Sequence, residues 1–239
     1  MSRTCVLVAW LLAGLFAGCA TAPAPTGLGT TGAGLVAPRA DQHWQTVCFR
    51  MPFDDAGHPV WARDLVLADR VVAPALAAHA AEIPLWRFHR RAARDGAGHQ
   101  FSLLVFADPG VHADLRRHIE ASPLLAAWRT HGELREVTFE CRAAQRSPEV
   151  AATSDPAWDP AIQRAWPHFI MGVSASWLAL VHDLAQGVDA EADDLVAAYA
   201  KVDARITELW GAQGQHAFLH HLGAVYGYRP VRIQTWMNY

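Results

Sequence analysis

His216 and His220 stand four residues apart in a stretch that reads as a helix, with His221 beside them. On an α-helix that spacing puts two imidazoles on one face, as a transition-metal pair requires. His182 and Asp183, two helices earlier, are the candidates to complete the ligand set. Zinc is the ion such donors would take, and a metal-dependent periplasmic enzyme is the function that would follow. The segment lacks the Glu of a His-Glu-x-x-His helix, so a metalloprotease base is missing from its usual place. The plainer reading has these imidazoles lining a packed helix end, with no cofactor involved.

A second cluster joins Trp86, Arg87, Phe88, His89, Arg90 and Arg91 with His99. Basic and aromatic residues interleaved on a strand can hold an anionic ligand or stack on a flat one. They equally describe a solvated sheet face over which arginine stems lie flat. Other chemistry finds no support. Ser174 and Ser176 are not in a Gly-x-Ser-x-Gly elbow. There is no phosphate loop, no dinucleotide fingerprint and no Cys-x-x-Cys. A net charge of −3 gives no electrostatic case for nucleic acid. With 52% hydrophobic and 18% charged residues the 239-residue chain is globular in composition. The tryptophans Trp158, Trp166, Trp177 and Trp210 fall at helical spacing on apolar faces, which points to core.

The elements that must carry these residues follow from periodicity. Val47, Phe49, Met51 and Phe53 alternate with Thr46, Cys48 and Arg50, predicting a strand with one buried face. A helix is predicted from Trp61 to Ala81, kinked or divided at Pro74. Ile83–Arg91 and Phe101–Phe106 form a hairpin around Asp95-Gly96-Ala97-Gly98. Asp108-Pro109 opens the next helix, Pro123 restarts a short one, and Leu134–Arg142 is a fourth strand. The order strand, helix, strand, strand, helix, strand is the split β-α-β arrangement of a ferredoxin-like α+β sandwich over 43–145. Its first and fourth strands are neighbours, which puts Cys48 and Cys141 side by side. Their parities disagree, Cys48 lying with the polar residues of its strand and Cys141 with the apolar ones. The expectation is two separate thiols, a disulfide requiring a bulge to turn one of them over.

Residues 146–239 read as a helical part packed on that sandwich. Arg146–Asp159 is a polar linker. Asp159-Pro160 then starts a long helix with a wide apolar face, from Ile162 through Trp166, Phe169, Val173, Trp177 and Val181 to Leu184, interrupted at Pro167. A helix capped by Asp189 follows, with Leu195, Tyr199, Val202, Ile206 and Leu209 inward and Asp203 among the residues facing water. Gly211 and Gly214 separate it from a third helix over Gln215–Tyr226, and Val231–Trp236 alternates like a last strand. Such wide apolar faces must cover the sheet's second face or pack beside it.

The N-terminus supplies an address. Arg3 precedes a continuous apolar run, Val6–Phe16, of about 11 residues, the length of a signal-peptide core and well short of the roughly 20 that a transmembrane helix needs. Leu15-Phe16-Ala17-Gly18-Cys19 closes it. This stretch resembles the lipobox of bacterial lipoproteins, with Phe16 standing where that family usually has Leu. The resemblance covers residues 1–19 alone. It implies cleavage after residue 18, lipid on Cys19, and, with Ala20 rather than Asp following, transfer to the outer membrane. Residues 19–42, rich in Ala, Pro, Thr and Gly, are then a flexible tether. The expected protein is a membrane-anchored envelope lipoprotein facing the periplasm. It would bind a small ligand or an envelope protein without catalysis.

Overall fold

The alternation around Val47 forms strand β1, His43–Met51. It starts earlier than the pattern predicts, and Trp44, Thr46 and Cys48 are buried along with Val47, Phe49 and Met51. The reason is that this strand is covered on both faces. The structure, a computed structural model, describes residues 39, 41–96, 98–141, 146–188 and 195–230. Cys19, the tether as far as residue 38, the Asp189 cap and the expected strand over 231–236 lie outside the described residues.

Three further strands, β2 (Leu85–Ala92), β3 (His99–Ala107) and β4 (Glu136–Phe139), join β1 in one sheet. The order is β2-β3-β1-β4 and every pairing is antiparallel. Register assigns the faces. Val47 lies opposite Leu103 and Phe139, Phe49 opposite Phe101 and Val137, and Phe88 opposite Leu103. These apolar residues form the first face and make the main core. Trp44, Leu104, Phe106 and Leu85 form a smaller core on the second face.

Helices cover the first face. α1 (Ala62–Val66), a π-helical stretch (Leu67–Val72) and α2 (Ala73–Ala78) make one continuous run. Pro74 was the expected break. It lacks the N–H that would bond to Arg70, and the run widens into π turns just before it rather than dividing. α3 (Pro109–Glu120) and α4 (Pro123–His131) each begin on a proline at the first turn, as their sequences predict. Gly132 closes α4 with φ of 77°, a backbone that suits glycine.

The second face is covered differently from expectation. Residues 146–159 are not a bare linker. They carry a 3-10 turn, Val150–Thr153, whose Val150 and Ala152 pack on the smaller core. Trp44 Nε1–H donates to the carbonyls of Glu149 and Val150 at 3.1 Å each. α5 (Pro160–Leu184) then runs unbroken through Pro167. Pro167 leaves the Gln163 carbonyl without its usual helical donor, and the Ser154 hydroxyl donates to that oxygen at 2.7 Å.

α5 crosses the open edge of β2. Met171 packs on the second-face core. The Phe88 N–H donates to Ser174 Oγ at 3.1 Å. Trp177 meets Phe88 edge-on, with ring centres 5.6 Å apart, on the first face. One helix thus covers part of an edge that would otherwise pair with another chain. α6 (Leu195–Gly214), a π-helical stretch (Gln215–His220) and α7 (His221–Val225) form a second long run. Gly211 and Gly214 do not divide it as predicted. Gly214 instead gives room to Trp210, whose Cε3 would lie 2.9 Å from an added Cβ. Among the described residues the molecule is therefore mixed α+β, with a four-stranded antiparallel sheet and five helical runs, the two longest C-terminal.

The cysteine expectation is corrected. Cys48 and Cys141 are joined in a disulfide, with Cα atoms 6.3 Å apart. Regular pairing of β4 ends at Phe139, and Glu140 takes a left-handed backbone with φ of 63°. That single residue turns the chain over and brings Cys141 to the face of Cys48, resolving the clash of parities. The Glu140 N–H still donates to the Thr46 carbonyl at 2.8 Å, and its carboxylate accepts from the Arg146 guanidinium at 2.7 Å. Arg146, also left-handed, donates its N–H to the Trp44 carbonyl at 2.8 Å, so pairing with β1 resumes. The bridge closes a long loop, with a sequence separation of 93. Replacing both cysteines by alanine should lower the unfolding free energy by about 3 kcal/mol in urea titrations. Alkylation of the unreduced native chain should leave both residues unlabelled.

Candidate functional site

The basic and aromatic cluster of β2 and β3 does not share a surface. Trp86, Phe88 and His99 lie on the first face, opposite Val105, Leu103 and Met51 respectively. Phe88 and His99 are buried there. Arg87, His89 and Arg91 point to the other face, because successive strand residues alternate. Arg87 is buried beneath the Trp166 ring, 4.7 Å from its centre. Arg91 pairs with Asp95 across the hairpin. These residues are spent on packing and ion pairs on two sides of a sheet.

The charges that matter most are ones that periodicity placed among apolar residues. Asp64, fully buried on α1, accepts from Arg90 Nε at 2.7 Å and from His99 Nε2 at 2.9 Å. A carboxylate acceptor fixes Nε2 as the protonated nitrogen of His99. The other ring nitrogen is buried with no hydrogen-bond partner among the described residues. The Arg90 guanidinium lies between two rings, 5.0 Å from Trp61 and 4.9 Å from Trp177. Asp203 of α6 approaches Arg90 at 3.9 Å rather than facing water. Burial pushes its carboxyl up from the ordinary value, Arg90 opposes that, and Asp64 adds to it.

One helical turn on, Asp69 sits in the π-helical stretch. It accepts from the Tyr199 hydroxyl and, at 3.0 Å, from His182 Nδ1. Arg70 Nε donates to the same hydroxyl at 2.7 Å and Arg70 Nη2 to the Val188 carbonyl at 2.9 Å. Burial and the bond to Asp69 push the Tyr199 phenol up, so it stays protonated. An imidazole oriented by a buried carboxylate is the beginning of a general base. Here the outward His182 Nε2 already meets the Gln186 amide at 3.0 Å. The chain of contacts therefore closes across α1, α5 and α6 and works as a joint.

The proposed metal ligands are placed as follows. His182 is engaged with Asp69, and Asp183 is exposed on the same helix. His216 and His220 stack with ring centres 5.2 Å apart and planes 18° apart, and His221 meets both edge-on. Among the described residues no group of three or more His, Cys, Asp or Glu side chains is arranged to hold a metal ion.

Shallow clefts are found among the described residues. One, of about 410 Å³, lies between the end of α5 and α6, walled by Leu184, Val188 and Val202 with Lys201 and Arg205 at its rim. Another, about 570 Å³, lies beside the start of β1, among His43, His112, Arg116, Glu140 and Arg146. A larger feature is apolar and open. Ile162, Phe169 and Val173 of α5 are exposed, although their spacing predicted burial. So are Trp210, Phe218, Leu219, Leu222 and Val225 on the α6–α7 run, and Tyr226 and Tyr228 beyond it. The tryptophans divide accordingly: Trp177 packs against the core while Trp158 and Trp210 reach solvent. The sequence showed the apolar stripes but not that the body is too narrow to cover them. Set against known proteins, the chain matches no protein family, no curated protein and no solved structure.

Two measurements test the buried groups. Tyr199→Phe removes a donor from Asp69 and should cost about 2 kcal/mol in urea titrations, since bonds to charged groups contribute about 1.5–3. His112, buried and donating Nε2–H to the His43 carbonyl at 3.0 Å, is held down by burial to about 4 from 6.5. Between those values the unfolded chain binds a proton that the folded chain refuses, so stability rises with pH across the window and is full above it. His112→Gln should flatten that rise by on the order of 3 kcal/mol between pH 4 and 6.5.

Proposed function

We propose that this chain is a cell-envelope lipoprotein, held by acyl groups on Cys19 and facing the periplasm from the outer membrane. Its body works by binding a ligand or partner rather than by catalysis. The observation that carries this reading is the Cys48–Cys141 bridge. Disulfides persist in oxidising compartments, and export is what the apolar run and the Ala17-Gly18-Cys19 sequence also imply. The two arguments are independent, one resting on strand geometry in the body and the other on the first 19 residues.

We read the body as ferredoxin-like in topology. The sheet order β2-β3-β1-β4 is the one a βαββαβ chain adopts when each of its two β-α-β units is split by an inserted strand. The helical runs after β4 are additions that seal the β2 edge and expose apolar surface. Binding is favoured because the clustered charges of the interior are taken up in joining helices to sheet, while the exposed apolar residues are gathered on the C-terminal helices. Exposed apolar patches of that kind mark interaction surfaces. Among the described residues no helix is long and apolar enough to cross a membrane. Attachment in this reading therefore rests on lipid, and two or more acyl chains give a stable hold where one is marginal.

Intact-mass measurement of the protein extracted from its native membranes is the test. The mature chain should begin at Cys19 and carry the mass of diacylglycerol, with a further acyl group on the new N-terminus. Cys19→Ala should move the protein out of the detergent-soluble membrane fraction. Residues 1–18 still attached, or an unmodified thiol at Cys19, would overturn the assignment.

A further inference from the structure

We infer that the outer half of the α6–α7 run is a docking element for an anionic phospholipid surface. From Leu209 to Pro230 the chain contains no Asp or Glu, against 23 acidic residues in the whole protein. Arg229 and the imidazoles of His216, His220 and His221 are its only ionisable groups besides two tyrosines. The apolar side is continuous. Trp210 folds back over Gly214 and stacks on Phe218, with ring centres 5.9 Å apart and planes 24° apart. Leu219, Leu222 and Val225 carry the ridge onward, Val225 at 83% exposure. The π-helical stretch and α7 pack chiefly on α6 and on each other, so this half of the run stands clear of the core. Tyr226 and Tyr228 follow, and Tyr228 also meets His220 at 3.3 Å.

This combination fits a bilayer interface better than a protein groove. Tryptophan and tyrosine have an apolar body and a polar tip, and they settle at the level of lipid head groups. An exposed apolar ridge with no carboxylate along it, and with Arg229 just beyond its end, can lie in the plane of an anionic membrane without charge repulsion. The chain length argues the same way. Residues 20–38 separate Cys19 from the first described residue, and 19 residues reach at most about 65 Å, so lipid on Cys19 would keep the body near one membrane. A surface that close is presented to the ridge at high effective concentration, so a weak contact suffices. This inference rests on the lipid-anchor reading for its proximity, but the ridge itself does not require the anchor.

The full chain is bound to vesicles of phosphatidylethanolamine and phosphatidylglycerol whose acyl chains carry bromine, a contact quencher of tryptophan. The Trp210 component is taken as the difference between the native chain and Trp210→Phe. Its emission should be lost on brominated vesicles, and largely restored when phosphatidylcholine replaces the anionic lipid. Phe218→Ser, Leu219→Ser, Leu222→Ser and Val225→Ser combined should restore it too. All four positions are solvent-exposed, so the body should keep its fold by circular dichroism. Quenching of Trp210 in a chain taken from its native membranes and found unmodified at Cys19 would sink the anchor and leave the ridge standing. An acylated, vesicle-bound chain with Trp210 unquenched would overturn the ridge and leave the anchor. Trp210 shielded instead by a second copy, with dimers in light scattering that Trp210→Ser dissolves, would overturn it as well.

Discussion

Two carboxylates buried on one helix impose most of the architecture. Asp64 and Asp69 lie within the apolar stripe of the α1–α2 run, where an unpaired charge would be prohibitive. Asp64 is answered from within the sheet by Arg90 and His99. Asp69 is not: besides Arg70 next to it, its partners come from α5 and α6 through His182 and Tyr199. The C-terminal helices are therefore part of the body's electrostatic closure. Removing them would strip Asp69 of those donors and Arg90 of the Trp177 ring. Pairing of this kind contributes little net stability over an apolar joint of the same shape, but it admits few alternative dockings. Asp69 and Arg70 both lie in the π-helical stretch.

Much of the scaffold was legible because period two and period 3.6 are strong signals where one face is wet. β4, α3, α4 and the hairpin were read from alternation and from proline at the first helical turn. β1 was read one-sidedly because the second face is covered by a 3-10 turn from residues 150–153, which no local pattern announces. The disulfide was missed for a similar reason. Parity arguments hold while a strand stays regular, and Glu140 leaves the β region at the residue before the cysteine. The buried joint was visible only as charges interrupting a stripe. A polar residue in an apolar register is either a boundary error or half of a pair, and sequence alone does not supply the other half.

The helices after β4 show what packing does with excess apolar surface. α5 spends Met171, Ser174 and Trp177 on closing β2, and α6 spends Tyr199 and Val202 on the α1 side. What remains, Ile162, Phe169 and Val173 on one helix and the ridge from Trp210 on the other, has nothing left in the body to meet. Exposure there is a geometric remainder of two long helices laid against a short, four-stranded sheet. Residues 160–182 and 209–230, which carry that remainder, contain no Asp or Glu.

The placement of β1 has a mechanical consequence. It is the first element after the N-terminal segment, yet it sits inside the sheet, hydrogen-bonded on one side to β3 and on the other to β4. A tug arriving along the chain from that end meets both ladders lengthwise. Their bonds are loaded together in shear, instead of being unzipped one after another as on a border strand. Cys48, near the middle of β1, is welded to the chain beyond β4, so slippage past that point is checked by a covalent link. β1 is thus well suited to bear drag from its N-terminal side, which is where the proposed lipid anchor would pull.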